Sequence, residues 1–498
     1  MMSNNEFKLH PVSAIINFVK GLKDLIIPFL IIFVANGFNI SFNPKDEGFW
    51  SDIIPLIIFS VITIIYLFSG IIKWWTFVYW FEEDELRVKY GLFVKKKRYI
   101  PFDRIQSFNY KEGIFHRIFG LVQVMVETAG STDGKPEVVL TAITKDAANQ
   151  IEQETRKAKQ VRKEPIVVEG NSHTIRSEVE EISKTRIIHK MKAKDLVLLA
   201  TTSNSVGVVL AGVAAILSQF SEFIPYEWIF EEFTSLIKFG FVVVAFLIFV
   251  AFFIAWLISV VITFINYYDF TVVEEDDRLT ITRGLLEKKR ITIPLNRIQA
   301  IKIVENPLRQ MFGFAAVVVE SASGGFGEND KKMTLFPLIS KKELYEPLSE
   351  ILPTFEWEQP LTQPPIKAKP FFYRLDFVWM IPVIALASYF WFPYGLLSML
   401  IVVPSILIGL WQFKTTGFAI NGHQLTIVYR MISRVTFVVE KKRIQAVESR
   451  QSYFQKRKNI ASVQATVMSG MTGATAKAAN LNVSDVEEVL QWYEKSNS

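Results

Sequence analysis

Arginine and glutamine recur together three times in this 498-residue chain, as Arg104-Ile105-Gln106, Arg297-Ile298-Gln299 and Arg443-Ile444-Gln445. A guanidinium offers five donors in a rigid fork, which suits two tasks: holding an anionic head group or carboxylate, or fastening backbone carbonyls at a turn. Threefold use favours the second, because every copy of a repeat needs its fold while only one needs a ligand. Arg104, Gln106, Arg297, Gln299, Arg443 and Gln445 are therefore read as a structural motif. Chemistry with a local address is expected where the third copy is most basic, at Arg430, Arg434, Lys441, Lys442, Arg450, Lys456, Arg457 and Lys458. These are the candidate contacts for anionic lipid or a partner. A basic residue beside an anionic leaflet contributes about 1 kcal/mol within a Debye length, enough to orient a tethered domain. The run Lys95–Arg98 is read instead as a solvated face that follows the positive-inside pattern.

Other chemistries find little footing. With no cysteine there is no disulfide, thiolate ligand or thiol nucleophile, and the five histidines show no metal-ligand spacing. No phosphate-binding loop or nucleophile elbow occurs. Ser323-Gly324-Gly325-Phe326-Gly327 lies between strand patterns and is read as a hairpin connection. The net charge of +6 comes without a reading helix or aromatic platform for nucleic acid. The expectation is no enzyme, no catalytic or metal residue and no cofactor.

The elements that must position the motif repeat with it. Leu86, Leu279 and Leu425 each stand eighteen residues before the motif arginine and open an alternating strand. Phe119-Gly120, Phe312-Gly313 and Lys458-Asn459 follow at one fixed distance, and Glu127, Glu320 and Thr466 close a Val-rich run. Period two marks half-buried strands. Thr144, and the boxes Ser340-x-x-Glu343 and Ser484-x-x-Glu487, read as caps of a closing helix in each unit.

Half the residues are hydrophobic, and they collect in blocks that precede the units in pairs. Leu25–Phe38 and Ile53–Ile72 form the first pair, Leu196–Leu217 and Phe239–Ile265 the second, Phe377–Phe392 and Leu396–Trp411 a shorter third. About 20 apolar residues cross a bilayer core, so sixteen is marginal. The connections Ser41–Asp52 and Ser218–Ser235 are mainly acidic, whereas lysine and arginine flank the pairs, which puts both ends of each hairpin and the soluble units in the cytosol. No Asp, Glu, Lys or Arg lies at the centre of a span, against a proton relay. Thr201–Ser205 and Gly207-x-x-x-Ala211-x-x-x-Ala215 suggest close helix packing. The expected division is hairpin 1–75, soluble unit 76–160, charged linker 161–195, hairpin 196–266, unit 267–353, proline-rich linker 354–372 as a stiff spacer, hairpin 373–412 and unit 413–498.

The triplicated Arg-Ile-Gln, its leading proline (Pro101, Pro294), the Gly-Leu turns (Gly91-Leu92, Gly284-Leu285), the basic strands behind them and the preceding hairpins make the chain resemble the bacterial pleckstrin-homology-like membrane proteins of the YdbS/YdbT type. His10-Pro11 and His189 fit the same pattern. The resemblance covers essentially the whole chain and is strongest to the three-domain members. It implies an α+β multi-pass membrane protein: three repeats of a helical hairpin plus a PH-like β-barrel or sandwich with a C-terminal capping helix. It also implies a bacterial cell-membrane location, a smaller related membrane PH-like protein as partner, and a role in envelope defence or stress. The third unit departs from the pattern at Arg430, Glu440 and Lys458-Asn459. The functional expectation is a non-catalytic scaffold or binding surface for that partner or anionic lipid. The alternative is a transport or efflux component with a pathway between its helices.

Overall fold

Basic, β-branched strands ended by proline, and apolar helices that precede them, set the architecture. The structure, a computed structural model, describes residues 6–35, 45, 49–92, 94–128, 136–161, 185–202, 241–275, 277–322, 333–390, 392–470 and 473–494. The acidic connection 218–235, most of 41–52, the small-residue run from 203 onward and the Gly-rich stretch 323–327 lie outside them.

The first unit contains β1 (Phe7–Lys8), β2 (Val78–Glu82), β3 (Glu85–Tyr90), β4 (Lys96–Pro101), β5 (Ile105–Glu112), β6 (Leu121–Thr128) and β7 (Val138–Thr144). The second repeats them as β8 (Arg186–Lys190), β9 (Thr271–Glu275), β10 (Arg278–Arg283), β11 (Lys288–Pro294), β12 (Ile298–Glu305), β13 (Phe314–Ser321) and β14 (Met333–Ser340). The third comprises β15 (Gly417–Asn421), β16 (Gln424–Arg430), β17 (Arg434–Glu440), β18 (Ile444–Arg450), β19 (Ile460–Val467) and β20 (Ala474–Asn482). In each, a first antiparallel meander packs on a second around an apolar core. Leu86, Val88 and Ile100 meet Phe108, Val124 and Leu140 in the first; Ile427 and Val439 meet Val463 and Ala476 in the third. A helix closes each unit: Lys145–Val161, Tyr345–Ile351 and Val483–Glu494.

The Arg-Ile-Gln motif forms the corner between the two meanders. Its arginine ends a single 3-10 turn, Phe102–Arg104, Leu295–Arg297 or Lys441–Arg443. The next strand then begins with a register shift, between Ile105 and Ser107, Ile298 and Ala300, or Ile444 and Ala446. Gln106, Gln299 and Gln445 are thus the extra residue of a bulge, which bends a strand and raises its twist. Gln299 Nε2 donates to the Arg297 carbonyl at 3.1 Å. In the third unit Glu440 stands where the others have proline, and the turn forms all the same.

Four expectations need correction. Part of the linker 161–195 is structural: β8 pairs with β9, because Ile187 and Ile188 amid polar neighbours favour a sheet edge. The proline-rich segment 354–372 is not simply a stiff extended spacer. Thr362 exchanges backbone hydrogen bonds with Phe418 at 2.8 and 3.1 Å, and residues Ile366–Phe372 wind into a 3-10 helix. Its prolines, lacking N–H groups, suit such an edge position. The box Ser340-x-x-Glu343 caps nothing: burial of Leu344, Leu348 and Ile351 delays the helix to Tyr345. The last helix begins at Val483, before Ser484, with Asn482 bonded to Asp485 at its start. In the first unit Thr144 does cap, its Oγ1 accepting from the Ala147 amide at 3.2 Å.

Three helical segments among the described residues are long and apolar enough to cross a membrane: Ile53–Thr76, Phe249–Tyr267 and Gly395–Thr415. The last is longer than its composition suggests. Eight residues in 3-10 geometry (Tyr394–Ile401) precede fourteen in α-helix (Val402–Thr415), about 37 Å in all at ~2.0 and ~1.5 Å per residue. Helix Val12–Ala35 packs against helix Phe49–Thr76 through glycine: a Cβ at Gly70 would fall 2.9 Å from the Ala14 carbonyl oxygen.

Candidate membrane-facing ridge and inter-unit joints

An antiparallel strand edge needs a partner for every second N–H and C=O, and two edges inside this chain satisfy each other across unit boundaries. Strand β5 of the first unit pairs with β11 of the second, so one seven-stranded sheet runs β7-β6-β5-β11-β10-β9-β8. Strand β12 of the second unit pairs with β17 of the third, giving a six-stranded sheet β14-β13-β12-β17-β16-β15. Both joints keep one register. The glutamate eight residues beyond the motif arginine faces the basic residue nine before the next: Glu112 opposite Lys288, and Glu305 opposite Arg434.

The joints share side chains as well as backbone. Val438, in the third unit by sequence, is 1% exposed and lies in the core of the second, while Ala300 of the second lies in the core of the third. Charge pairs ring these contacts. Lys111 Nζ is 2.8 Å from Glu287, and Arg156 reaches Glu152 at 3.0 Å and Glu275 at 3.2 Å. At the second joint buried Glu305 lies 2.7 Å from Lys341 Nζ and 3.9 Å from Arg434. The Arg443 guanidinium donates to the Asn296 carbonyl at 2.8 Å, and Ser469 Oγ to Glu320 at 2.5 Å.

Glu127 is tied to the first joint in a different way. Its carboxyl accepts from Ser107 Oγ (2.9 Å) and Asn109 Nδ2 (2.7 Å), and Asn109 Oδ1 accepts the Thr292 amide of β11 at 3.1 Å. Burial pushes its pKa up to about 7, and the two neutral donors offset this only partly. In the second unit the equivalent Glu320 has a cation, Lys302 Nζ, at 2.6 Å. A raised carboxyl pKa stabilises the fold below the unfolded value near 4.5, and that contribution disappears as pH rises through about 7. The amplitude is on the order of 3 kcal/mol. Glu127→Gln is therefore expected to flatten the decline in thermal midpoint between about pH 5 and about pH 8. An unchanged pH profile would refute this placement of the proton.

Where each apolar helix ends, a turn of its unit docks. The Gly91 amide donates to Thr76 Oγ1 at 3.2 Å, the Leu285 amide to the Ile265 carbonyl at 2.8 Å, and Gln412 Nε2 to the Met431 carbonyl at 3.2 Å. Gly91 and Gly284 have φ of +101° and +106°, and a Cβ there would meet a carbonyl oxygen at 2.2 or 2.1 Å, so these turns require glycine. Beside the second and third turns sits the short helix of the preceding unit, Ile114–Ile118 or Pro307–Met311: Arg117 donates to the Leu285 carbonyl at 2.8 Å, and Arg430 to Gln310 at 2.7 Å. The turns and short helices therefore make one row at the foot of the apolar helices. Large apolar side chains are exposed along it: Leu92, Val94, Phe115, Ile118 and Phe119, then Leu286, Leu308, Met311 and Phe312, then Met431, Ile432, Tyr453 and Phe454. Apolar patches of this extent mark an interaction surface.

The eight basic candidates of the third unit divide by this geometry. Arg430 is 4% exposed and cannot reach a head group; it replaces the turn glycine and staples the turn to Thr415 Oγ1 (3.3 Å), the Ile432 carbonyl (2.9 Å) and the Trp411 ring (3.8 Å). Arg434 faces Glu305 in the joint, and Lys441 bonds the Trp492 carbonyl and covers its ring. Lys442 and Arg450 are exposed and pair locally with Glu440 and Glu448, each at 2.9 Å. Only Lys456, Arg457 and Lys458 stand exposed on the ridge, beside Tyr453 and Phe454. The motif residues of the first two units are not gathered into a common site. The joints were missed by sequence reasoning; the acid-to-base match across repeats was the available signal.

Comparison with known proteins places these features. The model of the bacterial PH domain matches residues 27–159, 196–351 and 378–497. The chain is 35% identical over 501 residues to the UPF0699 transmembrane protein YdbT of Bacillus subtilis (strain 168), covering 99% of each. No solved structure matches it. With three matches that take in most of its length, the chain belongs to the bacterial PH domain family, as a transmembrane protein with repeated PH domains.

Proposed function

We propose that this protein is a non-catalytic scaffold of the bacterial cell membrane. Six spans in three hairpins hold its PH-like domains against the cytosolic leaflet as one rigid row, which serves as a binding surface for a smaller PH-like membrane protein and for anionic lipid in envelope defence or stress. The observation that carries the reading is the ridge: exposed apolar side chains lie in register with the ends of the apolar helices in all three units. Side chains such as Phe119 and Phe312 are at the depth where the bilayer boundary begins, and burying each in lipid stabilises by roughly 1.5–3 kcal/mol. In place of Met311 and Phe312 the third unit carries Arg457 and Lys458, so its end of the ridge selects for negative charge. Three cations there contribute about 3 kcal/mol at most, a bias of orientation within an already anchored molecule.

The chain has no cysteine, so a single label reports cleanly. Phe454→Cys, carrying an environment-sensitive fluorophore and reconstituted with phosphatidylethanolamine and phosphatidylglycerol, is expected to be quenched by lipids with spin labels near the head group. Quenching should weaken about two- to tenfold when phosphatidylglycerol is omitted or Lys456, Arg457 and Lys458 become glutamine. A label that stays unquenched in both lipid mixtures would overturn the membrane-apposed ridge.

A further inference from the structure

The joint that links the units uses two complementary edges, and among the described residues one of each is left over. Each junction takes the first strand after the motif from one unit (β5, β12) and the strand before the motif from the next (β11, β17). The third unit still offers β18, the outermost strand of its sheet, and the first unit still offers β4, likewise outermost. Among the described residues neither has a second strand beside it. Their burial differs from that of their paired counterparts: Glu448–Arg450 and Lys96–Lys97 are exposed, whereas most of β12 and the far half of β17 are buried.

We infer that β18 of one molecule pairs with β4 of a second copy of this chain, repeating head to tail the kind of joint that already links the units. Three observations choose this occupant. The first is register. Applying the spacing shared by both internal joints sets Gln451 opposite Lys95, Ser449 opposite Lys97, Glu448 opposite Arg98 and Val447 opposite Tyr99. The second is charge. At the position of Arg98 the internal joints have apolar Ile291 and Phe437, and at the position of Glu448 they have Asn109 and Lys302. The free edges differ from the joined ones together, with a base on one and an acid on the other, and among the described residues each pairs within its own unit: Arg98 with Glu137 at 2.8 Å, Glu448 with Arg450 at 2.9 Å. The third is the apolar face. Tyr99 occupies the position of Val438, which fills the neighbouring unit's core, yet Tyr99 is 52% exposed.

A row of lysines commonly protects an edge strand from pairing. It does not do so here, because Lys288, Lys289 and Arg290 begin β11 and pair with β5. The same short helix that seals the internal joints is also available. Arg117 donates to the Leu285 carbonyl, and Lys456, thirteen residues beyond its own motif arginine as Arg117 is, would meet Leu92 of the next copy. Each unit hangs from the end of its apolar helix by the same turn, so repeating the joint keeps the next copy's helices in one membrane. Such a contact is heterologous and produces a ring or an open row.

The test uses the full-length chain in phosphatidylethanolamine–phosphatidylglycerol proteoliposomes. Opposed residues of an antiparallel pair lie within disulfide range. Lys97→Cys combined with Ser449→Cys should give, on mild oxidation, a ladder of dimers, trimers and higher species. The one-residue-shifted pair, Lys97→Cys with Arg450→Cys, should give about tenfold less, because the slip turns one side chain to the other face. Lys111→Cys with Lys289→Cys spans an internal joint and should close within one molecule, which shows that the reconstituted chain is folded. In the ladder-forming variant, Arg98→Glu or Glu448→Arg alone should cut the ladder about tenfold, and the two together should restore it. If the internal pair closes while the Lys97/Ser449 pair forms no ladder beyond its single-cysteine controls, or if the ladder ignores the charge reversals, the proposal is overturned.

Discussion

Val438→Asp is expected to unfold the second unit although the residue belongs to the third. Its side chain is 1% exposed within the core formed by Ile281, Ile301 and Val317. A carboxylate in that apolar core either remains charged without water or takes up a proton, at a cost of about 3–5 kcal/mol. Val438→Ala removes two methyl groups and should cost on the order of 2 kcal/mol. Pulse proteolysis of the reconstituted protein, with cut sites mapped along the chain, separates the possibilities. Cleavage should rise together in 298–322 and in 434–450 for the aspartate variant. Cuts confined to the third unit would mean that the units fold and fail independently.

The second large effect is at Arg430. Arg430→Ala removes contacts to Thr415, Ile432 and Gln310 and the stacking on Trp411, and leaves a void between the last apolar helix and two units. The expected loss is about 3 kcal/mol. Arg430→Lys should recover little of it, because a point-like ammonium cannot span three acceptors while lying flat on a ring. Scanning calorimetry in nanodiscs would measure the loss. A head-group role predicts the opposite pattern: unchanged stability, with weakened dependence on phosphatidylglycerol.

Much of the fold could be read from residues because it is local and repeated. Leu86, Leu279 and Leu425 at one offset announced equivalent strands, and the threefold motif announced an equivalent corner, now seen as a 3-10 turn followed by a bulge at glutamine. Thr144 was recognisable as a cap because an N-cap acts within one turn of helix. The family and its membrane character followed from the same repeats.

What escaped is non-local. Nothing within β5 or β11 indicates that the other lies beside it, since a strand edge has the same backbone whatever covers it. Only aligning repeats exposes Glu112 with Lys288 and Glu305 with Arg434 as a matched pair. Phe7–Lys8 and Arg186–Lys190 are too short to show alternation and are separated from their partner strands by the apolar helices. Ser340-x-x-Glu343 satisfied a local rule that the burial of Leu344 overrides. Arg430 looked like a free surface charge because the aromatic ring beneath it, Trp411, comes from the membrane helix and its far acceptor, Gln310, from another unit.

The three units form one body through the strands shared at their joints, and residue-resolved hydrogen exchange of the unmodified chain in nanodiscs, read along Arg434–Glu440, tests this. Amides of an antiparallel strand point alternately to its two sides. If β17 is covered by both β16 and β12, successive amides across Val435–Val439 are all protected. If every second amide, those directed toward β12, exchanges at the rate of a solvent-exposed edge, the joint does not exist and the account of a rigid row fails.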